Sequence, residues 1–217
     1  MTDRRAFEMA RADFRGELAP GGIPMQSGQA LVETIRKAAA AGVDWIQIRE
    51  KDLPAQALAE LVSCAVAGTL RTSTQILLND RIDVALATGA AGVHLGESSI
   101  PMETVGEWRR TASRTDFRMG VSCHSMEAAR AAEGSGADYI FFGPVFATPS
   151  KSSYGAPQGI DKLHHVCGAV RTPVLAIGGI TVENAGSCIA AGARGVAAIR
   201  MFQESDDLPA LVKRLRG

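Results

Sequence analysis

The sequence has no excess of charge of either sign, because 23 lysine and arginine residues balance 23 aspartate and glutamate residues. This balance favours neither nucleic acid nor an anionic membrane as a partner. Long apolar runs are also missing: the longest have the length of a strand, and no apolar segment opens the chain. The sequence therefore predicts no transmembrane helix and no secretory signal.

Cysteine is scarce and scattered. The four cysteines show no Cys-x-x-Cys spacing, and three of them lie in apolar surroundings. This pattern predicts free, buried thiols, and with the missing secretory signal it indicates the cytoplasm as the compartment. The four residues are Cys64, Cys123, Cys167 and Cys188.

What the sequence does contain is a regular alternation of strand-like and helix-like segments. The predicted strands are 43–49, 75–78, 92–95, 117–122, 138–142, 174–177 and 196–199. The predicted helices are 29–41, 55–67, 82–88, 102–111, 126–133 (with Ser125 as N-cap), 163–170, 182–191 and 208–215. Such alternation predicts an α/β fold with a parallel sheet and right-handed crossovers.

The alternation contains a repeat. A glycine that ends a helix and leads into a strand recurs in GVDWIQIRE, GAAGVHLGE, GADYIFFGP and GARGVAAIR. The first three of these are about 47 residues apart, which fits two βα units per repeat and eight units in all. We therefore expect a (β/α)₈ TIM barrel that occupies residues 1–217 as a single domain.

One strand of that barrel has no counterpart in the sequence. Seven strands are predicted, and a first strand is expected before them, yet residues 1–27 are charged, contain glycine and proline, and show no strand pattern. We expect the first strand to be absent or irregular, and we favour a chain truncated at its N-terminus.

Active groups of a barrel lie at the C-terminal ends of its strands. After the strand at 43–49, alternation places Gln47, Arg49 and Lys51 on one face. Two cations on an inward face need an anionic partner, such as a diphosphate. An internal ion pair of Arg49 with Glu50 or another neighbouring residue is the alternative interpretation.

Two further strand ends carry polar side chains. Asn79 and Asp80 offer oxygen ligands for Mg²⁺, or they serve as an N-cap for the helix that follows. Ser122 and His124 share a face, and His124 is either a proton-transfer group or polar lining of the barrel.

The remaining strand ends suit phosphate. Thr148, Ser150 and Lys151 follow an apolar strand, where they form either a phosphate-binding loop or a solvated surface loop. Gly178 and Gly179 precede a helix, so they form either a phosphate site or a plain tight turn. Loops after the last two strands commonly hold phosphate in barrels, so we expect these glycines and Arg200 to meet one anion.

Taken together, these strand ends resemble the thiamine phosphate synthase and thiazole tautomerase superfamily. The matching stretches are QIREKDL, LLNDRIDVALATGAAGVHLGE, GVSCHS, GADYIFFGPVFATPSK, PVLAIGGITVENA and GARGVAAI, and TDRR resembles the end of the family's first strand. Synthases of this family join hydroxymethylpyrimidine diphosphate to thiazole phosphate and release pyrophosphate. The resemblance therefore implies small phosphorylated substrates and Mg²⁺ as cofactor.

The resemblance also implies roles for single residues. Gln47, Arg49, Lys51 and Asn79 would bind the pyrimidine diphosphate with help from Ser122 and Lys151, and Asp80 would bind Mg²⁺. The thiazole phosphate would be held by Thr148, Ser150, Gly179, Ile199 and Arg200.

Two positions depart from the synthase pattern. Ser99 stands where synthases have a second Mg²⁺-binding aspartate, for which Glu97 is a conceivable substitute, and Arg200 stands where they usually have serine. Tautomerases lack that aspartate and use a histidine placed like His124. Gln47 and the GPVF stretch favour the synthase; a tautomerase or a non-catalytic phosphate-binding barrel is the alternative. The sequence leaves monomer and homo-oligomer both open.

Overall fold

A computed structural model describes residues 25–96, 98–148 and 156–217. The strands are β1 (Trp45–Ile48), β2 (Gln75–Asn79), β3 (Gly92–Leu95), β4 (Arg118–Cys123), β5 (Tyr139–Phe142), β6 (Val174–Ile177) and β7 (Gly195–Ala197). The helices are α1 (Met25–Ala40), α2 (Ala55–Thr69), α3 (Ile82–Thr88), α4 (Met102–Thr111), α5 (Met126–Gly134), α6 (Gly159–Ala169), α7 (Val182–Ala190), α8 (Arg200–Gln203) and α9 (Leu208–Arg216).

The seven strands are hydrogen-bonded in the order in which they occur in the chain. Pairing is parallel, with Trp45 opposite Gln75 and Gly120 opposite Tyr139. A parallel sheet in sequential order, with a helix after each strand, confirms the predicted α/β barrel class. The expected position of a first strand falls within residues 1–24, outside the described residues.

The chain divides into two compact units, of which the first comprises residues 1–93 and 205–213. Adjacent residues of β2, such as Leu77 and Leu78, are both buried, so this strand is covered on both faces as its continuous apolar sequence predicts. Helix α1 contributes Leu31 and Ile35 to the core of the unit, and α2 contributes Leu61.

The second unit comprises residues 94–204 and 214–217. Strand β5 separates two environments in it. Ile140 and Phe142 belong to an apolar core with residues of α5, α6 and α7, whereas Tyr139 and Phe141 lie on the other face, beside His94. This second face carries polar side chains of the candidate site.

Several predicted boundaries need correction. β7 ends at Ala197, and Ile199 is the N-cap of α8 with helical backbone angles, so the predicted strand at 196–199 is too long. Helix α6 begins at Gly159, before the predicted start at 163. Ser125 is the N-cap of α5, as predicted, and its Oγ accepts a hydrogen bond from the Ala128 amide at 3.1 Å.

The cysteine prediction is half correct. The four cysteines are free thiols, and Cys123 and Cys188 are buried. Cys64 is exposed, however, and Cys167 is half-buried. A helical residue that lies beside the buried apolar face of its helix can still be exposed to solvent. Along the described part of the chain, no helix has the length and apolar character needed to cross a membrane.

Candidate active site

In the first unit, the ends of β1 and β2 are joined by a chain of side-chain hydrogen bonds. Gln47 Nε2 donates to Asn79 Oδ1 at 2.9 Å, and Asn79 Nδ2 donates to Asp80 Oδ2 at 2.6 Å. The parallel register sets Gln47 opposite Leu77, which brings Asn79, two residues further along β2, to the end of the sheet. The structure thus brings these three predicted site residues together.

The carboxylate of Asp80 fixes the orientation of both amides. A carboxylate only accepts hydrogen bonds, so Asn79 must turn its NH₂ group toward Asp80 and its oxygen toward Gln47. Gln47 must then donate, which turns its own Oε1 away from Asn79. Within the described ranges this oxygen has no hydrogen-bond partner, although Gln47 is only 3% exposed. A buried acceptor without a donor is costly in the free protein and is complementary to an N–H group of a ligand.

Arg49 and Lys51 follow the end of β1 at Ile48, and both are exposed, whereas Glu50 between them is buried. β1 ends at Ile48, so the two cations stand at the exposed end of this strand. That Gln47, Arg49 and Lys51 share one inward face stays a prediction, because exposure alone does not give the direction of a side chain.

The alternative interpretation of Asn79 and Asp80 as an N-cap is wrong. Helix α3 has Arg81 at its N-cap position, without a side-chain capping bond. Asp80 has a φ of 61°, in the left-handed region that aspartate tolerates better than most residues.

Asp80, directly after β2, offers one carboxylate of the kind that Mg²⁺ prefers. No group of three or more His, Cys, Asp or Glu residues suited to a metal occurs in the part that the structure describes, and Glu97 lies outside it. Mg²⁺ is commonly held by one or two carboxylates together with substrate phosphates, so the single carboxylate of Asp80 fits such an ion only with a diphosphate present. In the second unit, Ser99 Oγ accepts a hydrogen bond from the Gly96 amide at 2.6 Å.

In the second unit, the loop after β5 pairs with the end of β6. The Val145 amide donates to the Ile177 carbonyl at 2.9 Å, and the Phe146 amide donates to the Gly178 carbonyl at 3.0 Å. Gly178 and Gly179 have φ values of 94° and 65°. A Cβ at Gly179 would lie 2.6 Å from the Ala147 carbonyl oxygen. Glycine is therefore required for both the backbone angles and the close approach.

The glycine pair is fixed from the helix side by Asn184. Its Nδ2 donates to the Gly179 carbonyl at 2.9 Å, and its Oδ1 accepts from the Thr181 amide at 2.8 Å. Thr181 and Asn184 form a capping box at the start of α7, and the dipole of the helix gives this end a positive potential, which suits phosphate.

Arg200 lies beside Thr148, as predicted: its Nη2 is 3.4 Å from Thr148 Oγ1. Arg200 is exposed and begins α8, directly after the half-buried Ile199. Ser150 and Lys151, the other predicted members of this loop, lie outside the described residues.

His124 forms a short hydrogen bond from its Nδ1 to the carbonyl oxygen of Gly143. Because a carbonyl only accepts, Nδ1 carries the proton, and in the neutral ring the lone pair is on Nε2. His124 thus has the tautomer that a base acting through Nε2 requires.

Sequence reasoning missed two residues of this unit. His94 Nε2 lies 2.9 Å from Ser122 Oγ, and His94 Nδ1 lies 3.1 Å from Tyr139 Oη. Both His94 and Tyr139 are buried, and burial raises the pKa of Tyr139 far above its usual value. A histidine inside the apolar stretch GVHLG was the available signal.

Comparison with known proteins agrees with these observations. The family model described as thiamine monophosphate synthase matches residues 23–202. A putative thiamine-phosphate synthase of Geobacter sulfurreducens is 46% identical over 191 residues, which cover 88% of this chain and 87% of that protein. The thiamine-phosphate synthase of Moorella thermoacetica is 39% identical over 189 residues, 87% of this chain and 88% of that protein.

Solved structures give the same result. A thiamine phosphate pyrophosphorylase from Pyrococcus furiosus superposes with a TM-score of 0.77 at 31% identity, and the match covers 99% of this chain and 91% of that one. A 3-hexulose-6-phosphate synthase, at 18% identity and a TM-score of 0.63, shares the fold alone. The resemblance noted in the sequence is confirmed: the chain belongs to the thiamine monophosphate synthase family.

Proposed function

We propose that the protein is a thiamine phosphate synthase, which joins hydroxymethylpyrimidine diphosphate to thiazole phosphate and releases pyrophosphate. The observation that carries the proposal is the buried Oε1 of Gln47, oriented through Asn79 by Asp80. The aminopyrimidine ring supplies the N–H donor that this acceptor needs. Family membership supports the same activity.

The reaction exchanges one bond for another. The C–O bond between the pyrimidine methylene carbon and the diphosphate breaks, and its electron pair leaves with the diphosphate oxygen. The methylene cation that results is stabilised by the electron-rich aminopyrimidine ring, and the thiazole nitrogen supplies the electron pair of the new C–N bond. Charge builds up on the departing diphosphate, so groups that bind it lower the barrier.

The exposed cations at the end of β1 suit that diphosphate. We assign Arg49 and Lys51 to it, since guanidinium and ammonium groups bind phosphate oxygens through charge-assisted hydrogen bonds. Ser122 and Lys151 are expected to assist. Asp80 would hold Mg²⁺, which when bound supplies positive charge to the diphosphate.

The thiazole phosphate suits the loops after β5, β6 and β7. Gly179 and the start of α7 offer backbone amides, and Thr148 and Arg200 offer a hydroxyl and a cation 3.4 Å apart. Ser150 and Ile199 complete the predicted set. Arg200 in place of the usual serine of the family adds a charge that a phosphate monoester complements.

A thiazole tautomerase is the second candidate. It is favoured by the tautomer of His124, whose Nε2 carries a lone pair in the neutral ring, and by Ser99 in place of a carboxylate. A proton shift on a thiazole ring needs a base of suitable pKa and no metal.

One experiment separates the candidates. The protein is incubated with Mg²⁺ and thiazole phosphate, with and without hydroxymethylpyrimidine diphosphate, and the products are identified by mass and chromatography. A synthase yields thiamine phosphate and pyrophosphate in equal amounts. Conversion of a thiazole isomer without the pyrimidine identifies a tautomerase, and binding without turnover identifies the non-catalytic barrel.

The cytoplasm stays the predicted compartment.

A further inference from the structure

A buried chain of three polar side chains crosses β3, β4 and β5 in the second unit. His94 lies between Ser122 and Tyr139, with its Nε2 2.9 Å from Ser122 Oγ and its Nδ1 3.1 Å from Tyr139 Oη. Tyr139 is fully buried and His94 is 2% exposed, whereas Ser122 is half-buried. The chain thus has one end inside the protein and one end that a ligand can reach.

The fold places these residues on one face. Ser122 lies two residues after Gly120 in β4, and the register sets Gly120 opposite Tyr139. Gly120 leaves space for the tyrosine ring, because a Cβ there would lie 1.9 Å from Tyr139 Cζ. The His94 ring packs against Phe141, at 4.4 Å between ring centroids. The ring of His94 is therefore held by packing as well as by hydrogen bonds.

The tautomer of His94 sets the direction of the protons along this chain. With the ring proton on Nε2, Tyr139 Oη donates to Nδ1, and Nε2 donates to Ser122 Oγ. The hydroxyl proton of Ser122 is left for the half-buried end, where a ligand oxygen can accept it.

We propose that Tyr139 and His94 are positioning residues, which act through the hydrogen bond to Ser122 and make the serine hydroxyl a fixed donor to an anionic oxygen of the substrate. The assignment of this oxygen to the diphosphate rests on the proposed function. A fixed donor stabilises developing charge better than one that must first reorient. The opposite tautomer would turn the serine proton toward His94 and leave no donor for the substrate.

The direct test is the tautomer of His94, which needs no activity. In a ¹⁵N-labelled sample, long-range ¹H–¹⁵N correlation separates the protonated from the unprotonated ring nitrogen. The four histidines are distinguished by comparison with His94→Gln. We expect the proton on Nε2. A proton on Nδ1 would overturn the proposal.

The functional test is a double-mutant cycle of Tyr139→Phe and Ser122→Ala, with the pyrimidine diphosphate as the varied substrate. Tyr139→Phe keeps the ring and removes one hydrogen bond, so kcat/KM should fall about three- to tenfold. In the Ser122→Ala background the same change should cost less than about twofold, because the hydroxyl it positions is absent. An equal loss in both backgrounds would contradict the positioning role of Tyr139 and His94.

Phe142→Leu is the matched control, because Phe142 is a buried aromatic residue of the same strand that lies on the other face of β5, in the apolar core. Its effect on kcat/KM should be the same with and without Ser122, and thermal unfolding of every variant reports whether it folds. If the unaltered protein makes no thiamine phosphate, the proposed function is wrong. The tautomer of His94 then still tests whether Tyr139 and His94 position the Ser122 hydroxyl.

Discussion

The side-chain amide of Gln47 donates a hydrogen bond to Asn79 Oδ1 over 2.9 Å. This single contact determines which atom of Gln47 is left for a ligand. Since Asn79 in turn donates to Asp80, the charge of one carboxylate at the end of β2 sets the orientation of a buried amide on β1. A residue proposed to bind metal thereby also shapes the proposed pyrimidine site.

Gln47→Met should separate binding from stability. Methionine has a similar length and removes both the unsatisfied Oε1 and the donor to Asn79 Oδ1, which at a half-buried residue can bind water instead. The free energy of unfolding should therefore change by less than about 1 kcal/mol, while affinity for hydroxymethylpyrimidine diphosphate falls about tenfold. Denaturant unfolding and calorimetric titration measure the two quantities. Gln56→Met, at an exposed position on α2, is the control that should leave affinity unchanged. A large loss of stability with intact binding would contradict the binding role of Gln47.

Gly179→Ala should weaken binding of thiazole phosphate and destabilise the fold by about 1–3 kcal/mol, since alanine must adopt a positive φ against the Ala147 carbonyl. Gly186→Ala is the matched control, because Gly186 lies in α7 and a Cβ there meets nothing within 4 Å. That change should stabilise by about 0.5–1 kcal/mol and leave phosphate binding intact. Equal effects of the two changes would contradict the requirement for glycine at position 179.

Arg200→Ala should reduce affinity for thiazole phosphate about ten- to hundredfold, because a charge-assisted contact to phosphate is lost. Arg194→Ala removes the same charge from an exposed position just before β7, at the opposite end of that strand. Calorimetric titration should show no loss for Arg194→Ala. If the two variants bind alike, Arg200 has no role in the phosphate site.

Ser99→Asp should lower the Mg²⁺ concentration needed for half-maximal synthase activity, on the order of tenfold, because a second carboxylate raises the affinity of an oxygen-ligand site. The aspartate can still accept the hydrogen bond from the Gly96 amide that Ser99 Oγ now accepts. Activity as a function of Mg²⁺ concentration is the measurement. An unchanged Mg²⁺ requirement would mean that Ser99 does not occupy a metal position.

The order of strands and helices could be predicted from the sequence because four helix–strand junctions repeat a glycine before an apolar run, the first three of them 47 residues apart. The strand ends could also be located to within a few residues, which is how Asn79, Gly179 and Arg200 were chosen as candidates. Local geometry could not be predicted. Nothing in the sequence marks the end of β1 at Ile48, and Asp80 looked like a cap because its positive φ has no sequence signal.

His94 and Tyr139 were missed for a different reason. Each stands alone in an apolar stretch, where a polar side chain is equally typical of a satisfied core residue. Only the alignment of β3, β4 and β5 shows that both meet Ser122 through consecutive hydrogen bonds. Contacts between strands that are far apart in sequence are the part that one sequence alone does not contain.

The most direct test of the account compares Asp80→Asn with His124→Ala in the assay for thiamine phosphate. Asparagine also tolerates the φ of 61° at position 80 and removes only the charge. For a synthase, we expect Asp80→Asn to abolish formation of thiamine phosphate and His124→Ala only to weaken it. The proposed function would be contradicted if His124 were indispensable, Mg²⁺ had no effect, and only an isomerised thiazole phosphate were produced.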